Sequence, residues 1–137
     1  MLRRILYTSM ATEGVTMKDA YDIIRVSHNR NSRAGITGGL VLIDGYFLQL
    51  MEGLPSAVEL RFSHIQKDPR HCDIRVLADC PVQTALFADA WMALRDGSKI
   101  DPCVLSANGY TPGFDGVRTE QVLGLLTATF EPELMAA

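Results

Sequence analysis

Cysteine is scarce. Cys72, Cys80 and Cys103 are the only three in 137 residues, an odd number with no CxxC pair, so neither a disulfide framework nor a zinc site is signalled. An excess of charge of one sign is equally lacking. Thirteen Lys and Arg against sixteen Asp and Glu leave −3, scattered rather than gathered into a stripe or tail, and nucleic acid is not expected as a direct ligand. No apolar run approaches the roughly 18 residues of a membrane span. The opening MLRRILYTSM has three apolar residues behind its arginines, where a secretory leader needs about seven or more. The expectation is a cytoplasmic chain with free thiols that does not enter a membrane. With 47% hydrophobic and 21% charged residues, it has the material for one core and one domain.

The hydrophobic period switches several times, and turn chemistry marks each switch. Residues 2 to 9, LRRILYTS, predict a strand with Ile5 and Tyr7 on one face and Leu6 on the other. Thr16 offers an N-cap for a helix running to about Arg30. Two apolar runs, 35 to 43 and 46 to 52, are joined by Asp44-Gly45 and predict a hairpin. In its second arm Phe47, Gln49 and Met51 share one face, and a polar Gln49 in such a strand requires a hydrogen-bond partner. Pro55 and Ser56 open a second helix that Asp68-Pro69 closes. Strands are expected over 73 to 78 and 90 to 94, a loop over 101 to 116, and a last amphipathic helix over 119 to 130. The order is α+β, a ferredoxin-like βαββαβ pattern plus a fifth strand. Two helices should cover one sheet face and a C-terminal helical appendage the other.

No serine or cysteine is placed with a histidine and a third orienting group as a nucleophilic triad needs. Phosphate-loop patterns are absent. His71, Cys72 and Asp73 look reactive together, but adjacent residues do not converge on one point in a strand. A polar set remains: Tyr7, Asn31, Gln49 and Asp68. Ile23, Ser27 and Asn31 lie four apart and can line one groove, and Ile65 shares a face with Asp68. Each residue alone has an ordinary structural explanation: half-buried packing, a helix cap, a turn former. Together they fit a cleft for a flat ligand with amide-like edges.

The segments RILYTS (4 to 9), NSRAGITGGLVLIDGYFLQLMEG (31 to 53) and HIQKDPRH (64 to 71) resemble the BLUF domain, a blue-light sensor that uses flavin. The resemblance covers about the first 95 residues. It implies a photosensor unit over 1–97 and a C-terminal extension over 98–137. It also implies FAD held non-covalently between the two helices, with FMN or riboflavin as other occupants. Asn31 would bond the flavin ring and Asp68 would accept from its edge, while Ile23, Ile24, Ser27, Arg30, His64, Ile65, Arg70 and His71 would line the pocket. Tyr7 and Gln49 would be the photoactive pair, light driving an electron and a proton from the tyrosine through the glutamine and leaving the glutamine rearranged.

The chain departs from the family pattern in the fifth strand, where Ala90 holds the usual tryptophan position and Trp91 follows one residue later. Met92 is therefore expected beside Gln49, with Trp91 turned toward the C-terminal helix unless a bulge intervenes. His64 stands where the family often has arginine near the flavin phosphates. The resemblance implies a sensor that is not an enzyme and that signals to a separate effector protein, with self-association through the C-terminal helix as a further expectation. The alternatives are a light-insensitive binding module of the same fold, or a small acyl-phosphate hydrolase resting on Arg30 and Asn31.

Overall fold

The computed structural model describes residues 1–87 and 91–130; the side chains of Ser27, His28 and Trp91 lie outside the description. Five strands, β1 (Leu2–Ala11), β2 (Thr37–Ile43), β3 (Tyr46–Gly53), β4 (His71–Val82) and β5 (Trp91–Asp96), form one sheet in the order β4-β1-β3-β2-β5. β1 pairs antiparallel with both β3 and β4, β2 antiparallel with β3, and β5 joins the edge parallel to β2. With α1 (Met17–Ala34) and α2 (Pro55–Gln66) as its two crossovers, this is the expected ferredoxin-like α+β unit with a fifth strand. The expected hairpin is present, with Asp44 at φ 51° and Gly45 at φ 80° in its turn.

Helix α1 starts where the sequence predicts, the Thr16 N–H donating to Asp19 Oδ2 at 2.8 Å. It ends four residues later than expected. Gly35 takes a left-handed conformation, φ 71°, and the Ile36 N–H closes back on the Asn31 carbonyl at 2.9 Å, a glycine-terminated stop. Asn31 therefore lies inside the helix and not at its cap, because the glycine rather than the polar run decides the end. The expected loop over 101 to 116 contains a short helix, α3 (Pro102–Ala107). Asp101 accepts from the Cys103 N–H at 2.8 Å, and Pro102 sits at the first helical position, where its missing N–H costs nothing.

Strand alternation divides the core in two. Ile5, Tyr7, Phe47, Met51, Leu40 and Met92 face α1 and α2. Leu6, Val41, Leu48 and Leu50 face α4 (Thr119–Thr129) and its Val122, Leu125 and Leu126, so the appendage covers the opposite sheet face as expected. Phe130, fully buried, closes that layer: its ring stands edge-on to Phe87 at 5.3 Å, and the Arg95 guanidinium lies 5.0 Å from its centroid. A Cβ on Gly39 would come within 3.0 Å of the same ring. Among the described residues no helix is long and apolar enough to cross a membrane.

One charge sits in the core. Glu52, 0% exposed, pairs with Arg4 at 2.9 Å and accepts from the Leu86 and Phe87 N–H groups at 2.7 and 3.3 Å. It thus ties β3 and β1 to the segment leading into β5. Glu52→Ala removes one side of a buried ion pair and leaves two N–H groups unmatched, so about 3 kcal/mol of stability should be lost at neutral pH. Glu52→Gln, which keeps an acceptor oxygen, should lose less. Urea unfolding checks both, and a loss under about 1 kcal/mol in Glu52→Ala would contradict the assignment.

Candidate functional site

Antiparallel pairing sets Tyr7 directly opposite Gln49 across β1 and β3, and Gln49 opposite Leu40 across β3 and β2. Directly opposed side chains on one face come within about 5.5 Å at Cβ. The Tyr7 hydroxyl donates to Gln49 Oε1 in a short contact, which supplies the partner a buried Gln49 requires. The amide's other end points at sulfur, Gln49 Nε2 lying 3.4 Å from Met92 Sδ. A thioether is a weak acceptor, so the amide has one strong bond and one weak one. Burial holds the Tyr7 phenol's pKa far above its ordinary value, and the negative charge of Asp68 adds to the effect. The phenol is therefore protonated across the physiological range.

Above this pair, between α1 and α2, opens a cleft of about 550 Å³, within the usual range for small-molecule sites. Tyr7, Gln49 and Met92 lie at its sheet side. Ile23, Ile24, Arg30 and Asn31 line it from α1, His64 and Ile65 from α2, and Asp68, Arg70 and His71 from the corner after α2. Of the cleft-lining residues named from sequence, Ser27 alone falls outside the described side chains, and Ala90 of the fifth strand lies outside the described residues. The Trp91 side chain is likewise outside the description, although the β2–β5 register does shift there, Gly38 pairing with Trp91 and Gly39 with Ala93. Met92 itself has φ 130°, an uncommon conformation for a side chain of its size.

Asp68 is held by its neighbour Arg70, whose backbone N–H and Nε reach Oδ1 at 3.0 and 2.9 Å and whose Nη2 reaches Oδ2 at 2.6 Å. The Arg70 guanidinium accordingly keeps the Asp68 carboxyl below its usual range. Arg70 Nε also reaches Oδ2 at 3.2 Å, so Arg70 occupies about as many acceptor sites as a carboxylate has, and an N–H from a ring edge would share an oxygen with Arg70. Asn31, 1% exposed on the α1 wall, has both donor and acceptor chemistry for a heteroaromatic edge.

Sequence reasoning missed Arg61. It lines the cleft from α2, and its Nε is buried without a hydrogen-bond partner among the described residues. Burial and, secondarily, the positive charge of Arg30 lower its guanidinium pKa. Arg30, exposed on α1, lines the same cleft, and an anion between the two guanidinium groups would relieve their repulsion. The signal was present in the spacing, since 61, 64, 65 and 68 share one helical face. Those residues fit a flat, amide-edged ring carrying a phosphate tail. Among the described residues no cluster of His, Cys, Asp and Glu could hold a metal ion.

The sequence model of the family described as BLUF, sensors of blue-light using FAD, matches residues 2–93. Photoactivated adenylate cyclase subunit beta of Euglena gracilis is 33% identical over 90 residues, which is 66% of this chain and 10% of that protein. The blue light- and temperature-regulated antirepressor BluF of Escherichia coli K12 is 29% identical over 96 residues, 70% of this chain and 24% of that one. The chain thus spans about a tenth of the cyclase subunits and a quarter of the antirepressor. Among solved structures, BlsA in its photo-activated state has a TM-score of 0.80 at 25% identity and covers 100% of this chain and 97% of its own. BlrB, a BLUF protein in its dark state, has a TM-score of 0.69 at 29% identity, with 98% and 92% covered. The span matched by the family runs from the first residue of β1 into β5 and takes in every residue lining the cleft; the chain belongs to the BLUF family, sensors of blue light that use FAD.

Proposed function

We propose that this chain senses blue light through Tyr7, Gln49 and Met92 and passes the signal to a separate effector protein rather than to an enzymatic activity of its own. The observation that carries the reading is the Tyr7–Gln49 contact on the sheet side of the cleft. In this reading Asn31 and Asp68 orient the flavin ring, Ile23, Ile24 and Ile65 pack against it, and Arg30, Arg61 and His64 meet the phosphates. The unmatched Arg61 Nε favours a phosphate-bearing flavin over riboflavin. FAD, when bound, absorbs the photon and can take up an electron.

The chain's own groups do the rest. Tyr7 can release an electron and its phenolic proton together, and Gln49 Oε1 is the group placed to receive that proton. After return, Gln49 can exchange its donor and acceptor ends by rotation or tautomerisation. Rotation would turn Oε1 toward Met92, whose thioether has no proton to give, so the exchanged amide loses its contact there. This asymmetry favours the resting arrangement and supplies a reason for reversion in the dark.

Residues 1–97 would then be the sensor and 98–137 the relay, since α4 and Phe130 pack on the sheet face behind the pair. The near end-to-end match to BlsA in a photo-activated state and to BlrB, a BLUF protein, supports a light sensor of this fold. A cytoplasmic location and self-association through the extension belong to the same reading.

The purified protein should be yellow, shift its absorption slightly to the red under blue light and recover in the dark. Tyr7→Phe and Gln49→Leu should each retain flavin and lose the shift; a normal photocycle in Tyr7→Phe would refute the mechanism. Arg61→Gln should weaken FAD and FMN binding about tenfold or more, the range of a charge-assisted hydrogen bond, and leave riboflavin binding nearly unchanged. Titration of the apoprotein by quenching of flavin fluorescence checks it, and equal weakening of all three flavins would move the phosphates elsewhere.

A further inference from the structure

One buried hydroxyl beside the photoactive pair has no part in the mechanism above. Ser9 lies on β1 two residues beyond Tyr7, on the same face of the sheet and 1% exposed. Its Oγ is 2.7 Å from His71 Nδ1. The other ring nitrogen, Nε2, is 2.6 Å from the Ile65 carbonyl oxygen in the last turn of α2. A carbonyl oxygen only accepts, so Nε2 carries the hydrogen. In the neutral ring Nδ1 then keeps its lone pair, and the Ser9 hydroxyl donates to it. The imidazole thereby bridges β1 to the end of α2. Its ring also lies 6.2 Å, centroid to centroid, from both Tyr7 and Phe47. Thr12 fastens the same corner to β1, its Oγ1 donating to the Pro69 carbonyl at 2.7 Å and its N–H to that of Arg70 at 2.9 Å. Neither of those bonds touches the histidine.

We propose that Ser9 is a positioning residue for the Tyr7–Gln49 pair. Through His71, whose Nε2 donates to the Ile65 carbonyl oxygen, it fixes the wall of the cleft that carries Ile65 and Asp68 relative to Tyr7. The proposal rests on the light-sensing reading of the cleft. The tautomer matters. A ring with its hydrogen on Nδ1 alone loses the Ile65 contact.

The test uses the flavin-loaded, ¹⁵N-labelled full chain. Imidazole ¹⁵N–¹H spectra, with the His71 signals assigned by their loss in His71→Gln, should show hydrogen on Nε2 alone. Ser9→Ala should keep its flavin and its red shift, release the tautomer preference, and change the dark-recovery rate about two- to tenfold, the span of one neutral hydrogen bond. Ser9→Thr, which keeps a hydroxyl, should recover within about twofold of the wild-type rate. Hydrogen on Nδ1 in the wild type, an unchanged recovery rate in Ser9→Ala, or outright loss of flavin from that variant would each overturn the proposal. A wild-type chain with no light-induced shift would instead overturn the light-sensing reading, and the imidazole spectrum, which needs no light, would still decide the state of His71.

Discussion

The site depends on the register between β1 and β3. Because Tyr7 and Gln49 face each other across one antiparallel ladder, their contact follows from backbone pairing and needs no loop to bring it about. A slip of one residue would send Tyr7 to the α4 face and put Leu6 or Thr8 opposite Gln49. Both neighbours of β3 guard against that slip. Gly38 on β2 approaches so closely that a Cβ would lie 1.8 Å from the Leu50 carbonyl oxygen. At the far end Glu52 binds Arg4 of β1 and the Leu86 and Phe87 N–H groups together. The polar groups at the edges of the ladder therefore protect the hydrogen bond at its centre.

That hydrogen bond lies in an environment that raises its importance. Tyr7 and Gln49 are 3% and 8% exposed, and a buried amide or phenol left unmatched costs about 1–3 kcal/mol. Each partner is therefore obliged to find the other, yet the net contribution of such a bond is only about 0.5–1.5 kcal/mol. A rearrangement of one or two bonds is thus small against the stability of a domain, on the order of 5–15 kcal/mol. It is comparable with the roughly 1–3 kcal/mol of an allosteric coupling. The arrangement can bias a neighbouring element without unfolding anything.

Most of this was legible in the sequence, and the exceptions have physical causes. Period-two patterning gave the faces of β1 and β3, and Asp44-Gly45 gave the hairpin that joins β3 to β2. The end of α1 was misplaced because a run of polar residues resembles a helix stop. Gly35, with its left-handed backbone, is the residue that stops it. The short α3 was hidden in a stretch rich in Pro, Ser and Asn, composition that also serves as capping chemistry when Asp101 and Pro102 fall in the right order. Arg61 escaped notice because a single cation on a helix is ordinarily solvated, and its meaning appears only when Arg30 faces it from another helix. Ser9 was invisible for the same reason, its partner lying 62 residues away.

Strand β5 makes contacts on both sheet faces. It is an edge strand attached through β2 alone, and its register shifts at Gly38 and Gly39, where Met92 takes φ 130°. A side chain held in so sparsely populated a region stores strain on the order of 1–3 kcal/mol, sustained only while its surroundings hold it there. On one face Met92 touches Gln49; three residues on, Arg95 lies over Phe130 on the other. Loss of the Gln49 contact removes part of what holds Met92 in place. An edge strand with a bulge can relieve that strain by a small shift, whereas a close-packed central strand cannot. Phe130 meets Gly39, Phe87 and Arg95 together, so a shift of β5 against β2 alters its seat directly. The register shift in β5 thus lies between the Gln49 contact of Met92 on one face and the Phe130 contact of Arg95 on the other.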